Sequence, residues 1–167
     1  RDQEFSLKSD IVLNQDDEIY LAADSNDIKE VLSLLGHEEP EARNIRIVGG
    51  GRVGYSLATS LGENSAINIK IIEHNAERAR FLAAHFPDIA IINGNALEKE
   101  ILREVNIENS DMIISVSNDD EVNILSSLLA KKFGCNKAIA LINSSSFAPL
   151  FSSLGIDVIV NPREISV

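Results

Sequence analysis

From Asn44 onward the chain alternates six short runs of Ile, Val, Ala and Leu with segments of helical spacing, and few folds accept that alternation. The runs are Ile45 to Val48, Ile69 to Ile72, Ile89 to Ile92, Met112 to Val116, Ala138 to Ile142 and Val158 to Val160. Uninterrupted apolar runs of strand length signify burial on both faces, the condition of a parallel sheet covered by helices. Helices are expected between them at about 52–62, 76–85, 96–105, 119–133 and 146–154. Asn75 stands ahead of the second, Asn95 with Glu98 reads as a capping box for the third, and Gly134 and Gly155 sit where C′ glycines belong. The fold class is α/β, a Rossmann-like doubly wound parallel sheet.

The residues before this pattern read differently. Phe5 to Leu7, Ile11 to Leu13 and Ile19 to Ala22 are short extended runs with a turn cluster at Asn14 to Asp17, and Ser25 or Asn26 caps a helix carrying Ile28, Val31, Leu32 and Leu35. A segment of about 40 residues buries too little to fold alone. We therefore expect 1–39 to be the end of a small α+β domain, 40–43 a linker, and 44–167 the sheet domain. The chain starts without Met and stops soon after a strand-like run, which reads as an excerpt of a longer protein.

The chemistry lies in Gly49-Gly50-Gly51-Arg52-Val53-Gly54, a G-x-G-x-x-G that follows the first strand and opens a helix. Gly49 serves the tight turn, Gly51 lets a pyrophosphate approach the backbone, and Gly54 lets the helix pack closely on the sheet. The helix start offers unpaired N–H groups to phosphate oxygens. Glu73 closes the second strand 19 residues after Gly54, where an acidic residue accepts from adenosine ribose hydroxyls and repels a 2′-phosphate. The expected cofactor is NAD or an unphosphorylated adenosine, not NADP, although Arg78 lies nearby. Gly94, Asn95 and Ala96 end the third strand beside the expected adenine edge. Ser117, Asn118 and Asp119 end the fourth, again at the carboxyl edge. Asp119, Asp120 and Glu121 read either as macrodipole-favoured carboxylates of a first helical turn or as oxygen ligands of a divalent cation.

Composition narrows the function. Fifteen Lys and Arg against 26 Asp and Glu give −11, which excludes nucleic-acid binding by bulk charge. A single cysteine, Cys135, cannot form an internal disulfide and favours a reducing, cytoplasmic setting. No apolar run approaches the roughly 18 residues of a membrane span, so no direct membrane insertion is expected. His37, His74 and His85 have no nucleophile pattern beside them, there is no metal-spacing motif, and neither Tyr20 nor Tyr55 begins a Tyr-x-x-x-Lys. This reads as binding without turnover. The rival readings are the cofactor half of an NAD-dependent oxidoreductase and a degenerate domain that serves only as an oligomer interface.

Several motifs in order, IRIVGGGRVGYSLATSL, IIEHNAERARFLA, INGNALEKEILREVNIENSDMIISVSNDDEVNILSSLLAKKFG and GIDVIVNP, resemble the regulator-of-conductance (RCK, or KTN) nucleotide-binding domain, in particular that of the TrkA family of potassium-uptake regulatory subunits. Phe5 to Gly36 is similar to the end of the TrkA-C module, which makes this the second unit of a tandem pair. The resemblance implies a cytosolic regulator beneath the plasma membrane, assembled as a dimer or tetrameric ring on a membrane potassium-translocating subunit of TrkH or TrkG type, and responsive to NAD(H) or ATP/ADP. By motif, the loop Gly49, Gly50, Gly51, Arg52, Val53 and Gly54 would hold phosphates, Glu73 and Asn75 the ribose side, Arg78 the nucleotide, and Asn95 and Ala96 the adenine. Gly94 would lie beside them, and Ser117, Asn118 and Asp119 would line the opposite wall. Two departures stand out: Asn143-Ser144-Ser145-Ser146 replaces an arginine common after the fifth strand, and the chain stops before the helix and TrkA-C domain that the family carries after Asn161-Pro162. Ile124, Leu125, Leu128, Phe147, Leu150 and Phe151 are candidates for a dimer contact, half or more of them core.

Overall fold

A computed structural model describes residues 41–144 and 155–162. The chain divides into two units, 1–40 and 41–167, and every described residue belongs to the second. The expected TrkA-C-like segment at 1–39, the helix at 146–154 and its Phe147, Leu150 and Phe151 lie outside the described residues.

These residues form a parallel sheet of six strands, β1 (Asn44–Val48), β2 (Asn68–Glu73), β3 (Ala90–Asn93), β4 (Met112–Ser115), β5 (Lys137–Leu141) and β6 (Val158–Val160), in the order β3-β2-β1-β4-β5-β6. The helices between them are α1 (Arg52–Gly62), α2 (Ala76–His85), α3 (Lys99–Glu104) and α4 (Asp120–Lys132), with a 3-10 turn at Ile107–Asn109. The doubly wound sheet is therefore as expected. Alternate residues of a strand point to opposite faces, and both faces here are apolar. Ile45, Ile47, Ile69, Ile71 and Ile114 pack with Ala58 of α1 and Leu82 of α2, while Val48, Ile72 and Ile113 pack with Leu102 of α3 and Ile124 and Ala130 of α4. Two-sided burial explains why the strands read as nearly continuous Ile, Val and Ala.

Arg46 is the exception in that run and is 2% exposed. Its Nε donates to the Val105 carbonyl at 2.6 Å, and Nη1 donates to Ile45 O and to Asn68 O and Oδ1 at 3.1 to 3.3 Å. Burial pulls its pKa down, outweighing the upward Coulombic pull of Cys135 and Asp111. The arginine thus ties the base of β1 to the end of α3.

Several boundaries move, among them the end of β4, which falls at Ser115 and leaves Val116 outside. Ile89 is drawn into the turn after α2, its N–H donating to Phe86 O, so β3 begins one residue late and Asn93 pairs with Glu73. The third helix starts at Lys99, not near 96, and the capping box is absent: Asn95 Oδ1 accepts from Leu97 N at 3.0 Å, its carbonyl accepts from Glu98 N, and Glu98 itself is an N-cap without a side-chain bond. An Asx turn has outcompeted the helix there. Ile142 falls just past β5, although its N–H still donates to Val160 O at 3.0 Å. Of the suggested contact residues, Ile124 is buried, Leu128 packs partly into the core, and Leu125 is 48% exposed.

Candidate functional site

In an open parallel sheet the ligand crevice forms at the carboxyl ends of the strands, where the order reverses. Here β1 lies between β2 and β4, so the reversal falls between β1 and β4. The glycine loop leaves β1 at that point. Gly49 has φ +96° and its N–H donates to Ile72 O at 2.9 Å. A β-carbon on it would sit 2.7 Å from Ser117 Cα, so only glycine permits both the left-handed turn and the contact with the loop after β4. At Gly54 a β-carbon would overlap the Gly49 carbonyl oxygen, which is the close helix approach the fingerprint demands. Gly51 differs: nothing lies within 4 Å of the position a β-carbon would take. It faces open space.

Gly51 is the N-cap of α1, which carries no acidic residue in its first turn, and no side chain of the described residues caps it. Its partial positive end is left to an anion. The start of α4 is the opposite case. Asp119 Oδ1 accepts from Glu121 N and Val122 N at 2.9 and 3.1 Å, and the Asp120 carboxylate accepts from Asn143 N, Asn143 Nδ2 and Ser144 N. These carboxylates are engaged by N–H donors, and the described residues hold no group of three or more His, Cys, Asp or Glu suited to a metal ion. Asn143, which stands near the missing family arginine, closes the β5 end onto α4 instead.

Glu73 is buried, 6% exposed, beneath the glycine loop. Oε2 accepts from Gly50 N at 2.7 Å, Oε1 accepts from Asn75 N at 2.8 Å, and His74 Nδ1 lies 3.3 Å from Oε1. A carboxylate has about four acceptor positions, so capacity remains for a ligand hydroxyl. Arg78 grips the same residue at its carbonyl, Nε donating to Gly50 O at 2.6 Å while its guanidinium lies 4.6 Å from the Phe81 ring centroid and 5.7 Å from that of Tyr55. Gly50 is thus clasped at its N–H by a carboxylate and at its C=O by a guanidinium, one on each of the two peptide groups that flank its α-carbon. Asn75 caps α2, accepting from Arg78 N at 2.9 Å.

Two clefts flank the loop. One of about 350 Å³ brings together the expected Gly49, Gly94, Asn95, Ala96, Ser117, Asn118 and Asp119 with Val48, Ile72, His74 and Val122. The other, about 380 Å³, brings the expected Gly51, Arg52 and Arg78 together with Tyr55 and Phe81. Gly50, Val53, Gly54, Glu73 and Asn75 line neither: Gly54 and Glu73 are buried, and Val53 is 42% exposed. Gly94 is small for a packing reason as well, since a β-carbon there would overlap Ile101 Cδ1. Tyr55 and Phe81 were missed, although each stands three residues after an arginine on its helix, a spacing that puts the pairs Arg52–Tyr55 and Arg78–Phe81 on common faces. His74 reaches the cleft rim, a placement its position after a strand did not disclose.

The profile of the TrkA-N domain matches residues 45–162, all of this sheet but Asn44. The chain belongs to the TrkA-N domain family. It is 42% identical over 149 residues to the Trk system potassium uptake protein TrkA of Azorhizobium caulinodans, covering 89% of this chain and 32% of that protein. This TrkA-N chain therefore spans about a third of the length of that relative. Among solved structures it is similar to the TrkA-N domain of the inner membrane protein ybaL of Escherichia coli, with a TM-score of 0.66 at 20% identity, covering 75% of this chain and 92% of that one. It is also similar to the GsuK channel bound to NAD, TM-score 0.61 at 16% identity over 74% of this chain and 22% of that one, and to GsuK bound to ADP, TM-score 0.62 at 17% identity over 74% and 33%. These structural likenesses bear on the fold of the TrkA-N domain. No helix among the described residues is long and apolar enough to cross a membrane.

Proposed function

We propose that this chain is a non-catalytic nucleotide-sensing unit of a Trk-type potassium uptake system, taking NAD(H) or ATP/ADP into the crevice and biasing a membrane potassium-translocating subunit of TrkH or TrkG type. The observation that carries the reading is the open position at Gly51, at the start of a helix with no acid in its first turn, between two clefts that hold ten of the expected residues. Phosphate oxygens fit the α1 start with Arg52 beside them, an adenine edge fits Asn95 and Ala96, and Glu73 is the proposed ribose partner, its remaining acceptor capacity reached once the glycine loop above it gives way to the ligand. A bound nucleotide supplies charge and ordering rather than bond-making. It shifts the assembly between states only by its differential affinity for them. The unit acts at the cytoplasmic side of the membrane as a homo-oligomer, dimer or ring.

Calorimetric titration with NADH, NAD, ATP and ADP tests the reading on wild type and Gly51→Asp. The extended backbone at Gly51, φ −65° and ψ −158°, and the empty space beside it let aspartate stand there without disturbing the fold. We expect at least one nucleotide to bind wild type and to bind the variant tenfold more weakly or not at all, with melting temperature unchanged. Absence of binding by wild type to all four would overturn the reading. Turnover of NADH with a panel of small carbonyl compounds would instead favour the oxidoreductase alternative.

A further inference from the structure

The crevice wall formed by the loop after β4 is held by a residue outside every assigned site. Asn123, in the first turns of α4, is fully buried at 0% exposure. Its Oδ1 accepts from Ser117 N at 2.8 Å, and its Nδ2 donates to Ser117 O at 3.0 Å and to Leu141 O at 2.8 Å. The carboxamide thus stands in for a peptide group, extending the β4–β5 ladder past the ends of both strands. Only an amide can do this, because the position needs one acceptor and two donors at once.

What it holds matters because Ser117 presses on the glycine loop, its backbone 2.7 to 2.8 Å from where a β-carbon of Gly49 would be. Ser117 and Gly49 both line the cleft of about 350 Å³. We propose that Asn123 is a positioning residue that sets the Ser117-Asn118-Asp119 wall against the glycine loop, and through that spacing the affinity of the crevice for an adenine nucleotide. The affinity clause rests on the function proposed above. Without the carboxamide, a part-buried N–H and two part-buried carbonyls lose their partner, and the loop must rotate to find water. The wall then moves relative to Gly49.

The test uses the full chain with Asn123→Leu, similar in volume but unable to bond, and Asn123→Asp, which keeps an acceptor but loses both donated bonds. Ser126→Ala is the control: Ser126 is equally buried on α4, bonds Ser115 Oγ and, at 3.4 Å, the Asn123 backbone carbonyl, and makes no bond to the Asn123 carboxamide or to Ser117. Three quantities are read: melting temperature, ADP affinity, and hydrogen exchange of the Gly49 amide, which bonds to Ile72 O and not to Asn123. Both Asn123 variants should exchange Gly49 at least tenfold faster and bind ADP at least tenfold more weakly, while Ser126→Ala, even at an equal loss of melting temperature, keeps both within twofold. Unchanged Gly49 exchange in the Asn123 variant that folds overturns the proposal, as does a loss in Ser126→Ala proportional to its melting shift. Should wild type bind no ADP, the nucleotide reading fails on its own, and Gly49 exchange alone decides whether Asn123 sets the wall.

Discussion

At Gly54 an added methyl group would overlap the Gly49 carbonyl oxygen and come within 3.5 Å of Ile47 Cγ2, with strand end and helix backbone on both sides. Neither neighbour is a flexible side chain that can swing away. We therefore expect Gly54→Ala to destabilise the domain by about 1–3 kcal/mol, the usual cost of overpacking, read from urea unfolding as a lower midpoint with unchanged slope. At Gly51 the same unfolding curve should be unmoved even by Asp, since nothing stands within 4 Å. The two glycines look alike in the motif, yet one carries the fold and the other the proposed binding. A Gly51→Asp curve displaced as far as that of Gly54→Ala would remove this division.

Among the elements, α4 depends most visibly on its first residues. Asp119 caps it with two hydrogen bonds, Ser117 Oγ accepts from Asp119 N, and Asp120 and Glu121 add negative charge to the first turn while Lys131 and Lys132 occupy the last. Replacing an N-cap aspartate by alanine typically costs about 0.5–2 kcal/mol, and Asp119→Ala should fall in that range by thermal or urea unfolding, with a null result arguing that the bonds to Asn123 alone hold this end. α3 shows the converse. With six residues and an N-cap lacking a side-chain bond, it owes its placement to Leu102, fully buried, and to the Arg46 guanidinium on the Val105 carbonyl that follows it. Asn95 could be seen as a capping signal in the sequence, but whether an Asn caps a helix or closes an Asx turn depends on which N–H arrives first. Here Leu97 N does.

Over the whole domain, two carboxylates staple strand ends that are far apart in sequence. Asp111 accepts from Asn44 N at 2.8 Å and Arg43 N at 2.9 Å, and these backbone bonds hold its carboxyl below the ordinary carboxylate range. At Asp157 burial pushes upward, but the Ala138 N–H and the Lys131 ammonium outweigh it and the net shift is down. A carboxylate whose folded pKa is depressed contributes stability that is complete above its unfolded value of about 3.9 and is lost as pH falls through the folded value. Melting temperature should therefore decline as pH drops below about 5, with a shallower decline in Asp111→Asn. Parallel curves would show that this clasp does not titrate with folding. The sequence by itself determined what is local: the alternation of apolar runs and helices, the strand–glycine loop–helix unit, Glu73 at a strand end and the charge that excludes nucleic acid. Only the tertiary structure decided that Glu73 and Arg78 clasp the N–H and C=O of Gly50, that Arg46 turns inward, that Tyr55 and Phe81 wall a second cleft, and that Asn123 braces Ser117 to β5. The reason is physical. Periodicity and turn chemistry act between near neighbours and are written in spacing, whereas these contacts join groups whose meeting is set by the strand order β3-β2-β1-β4-β5-β6.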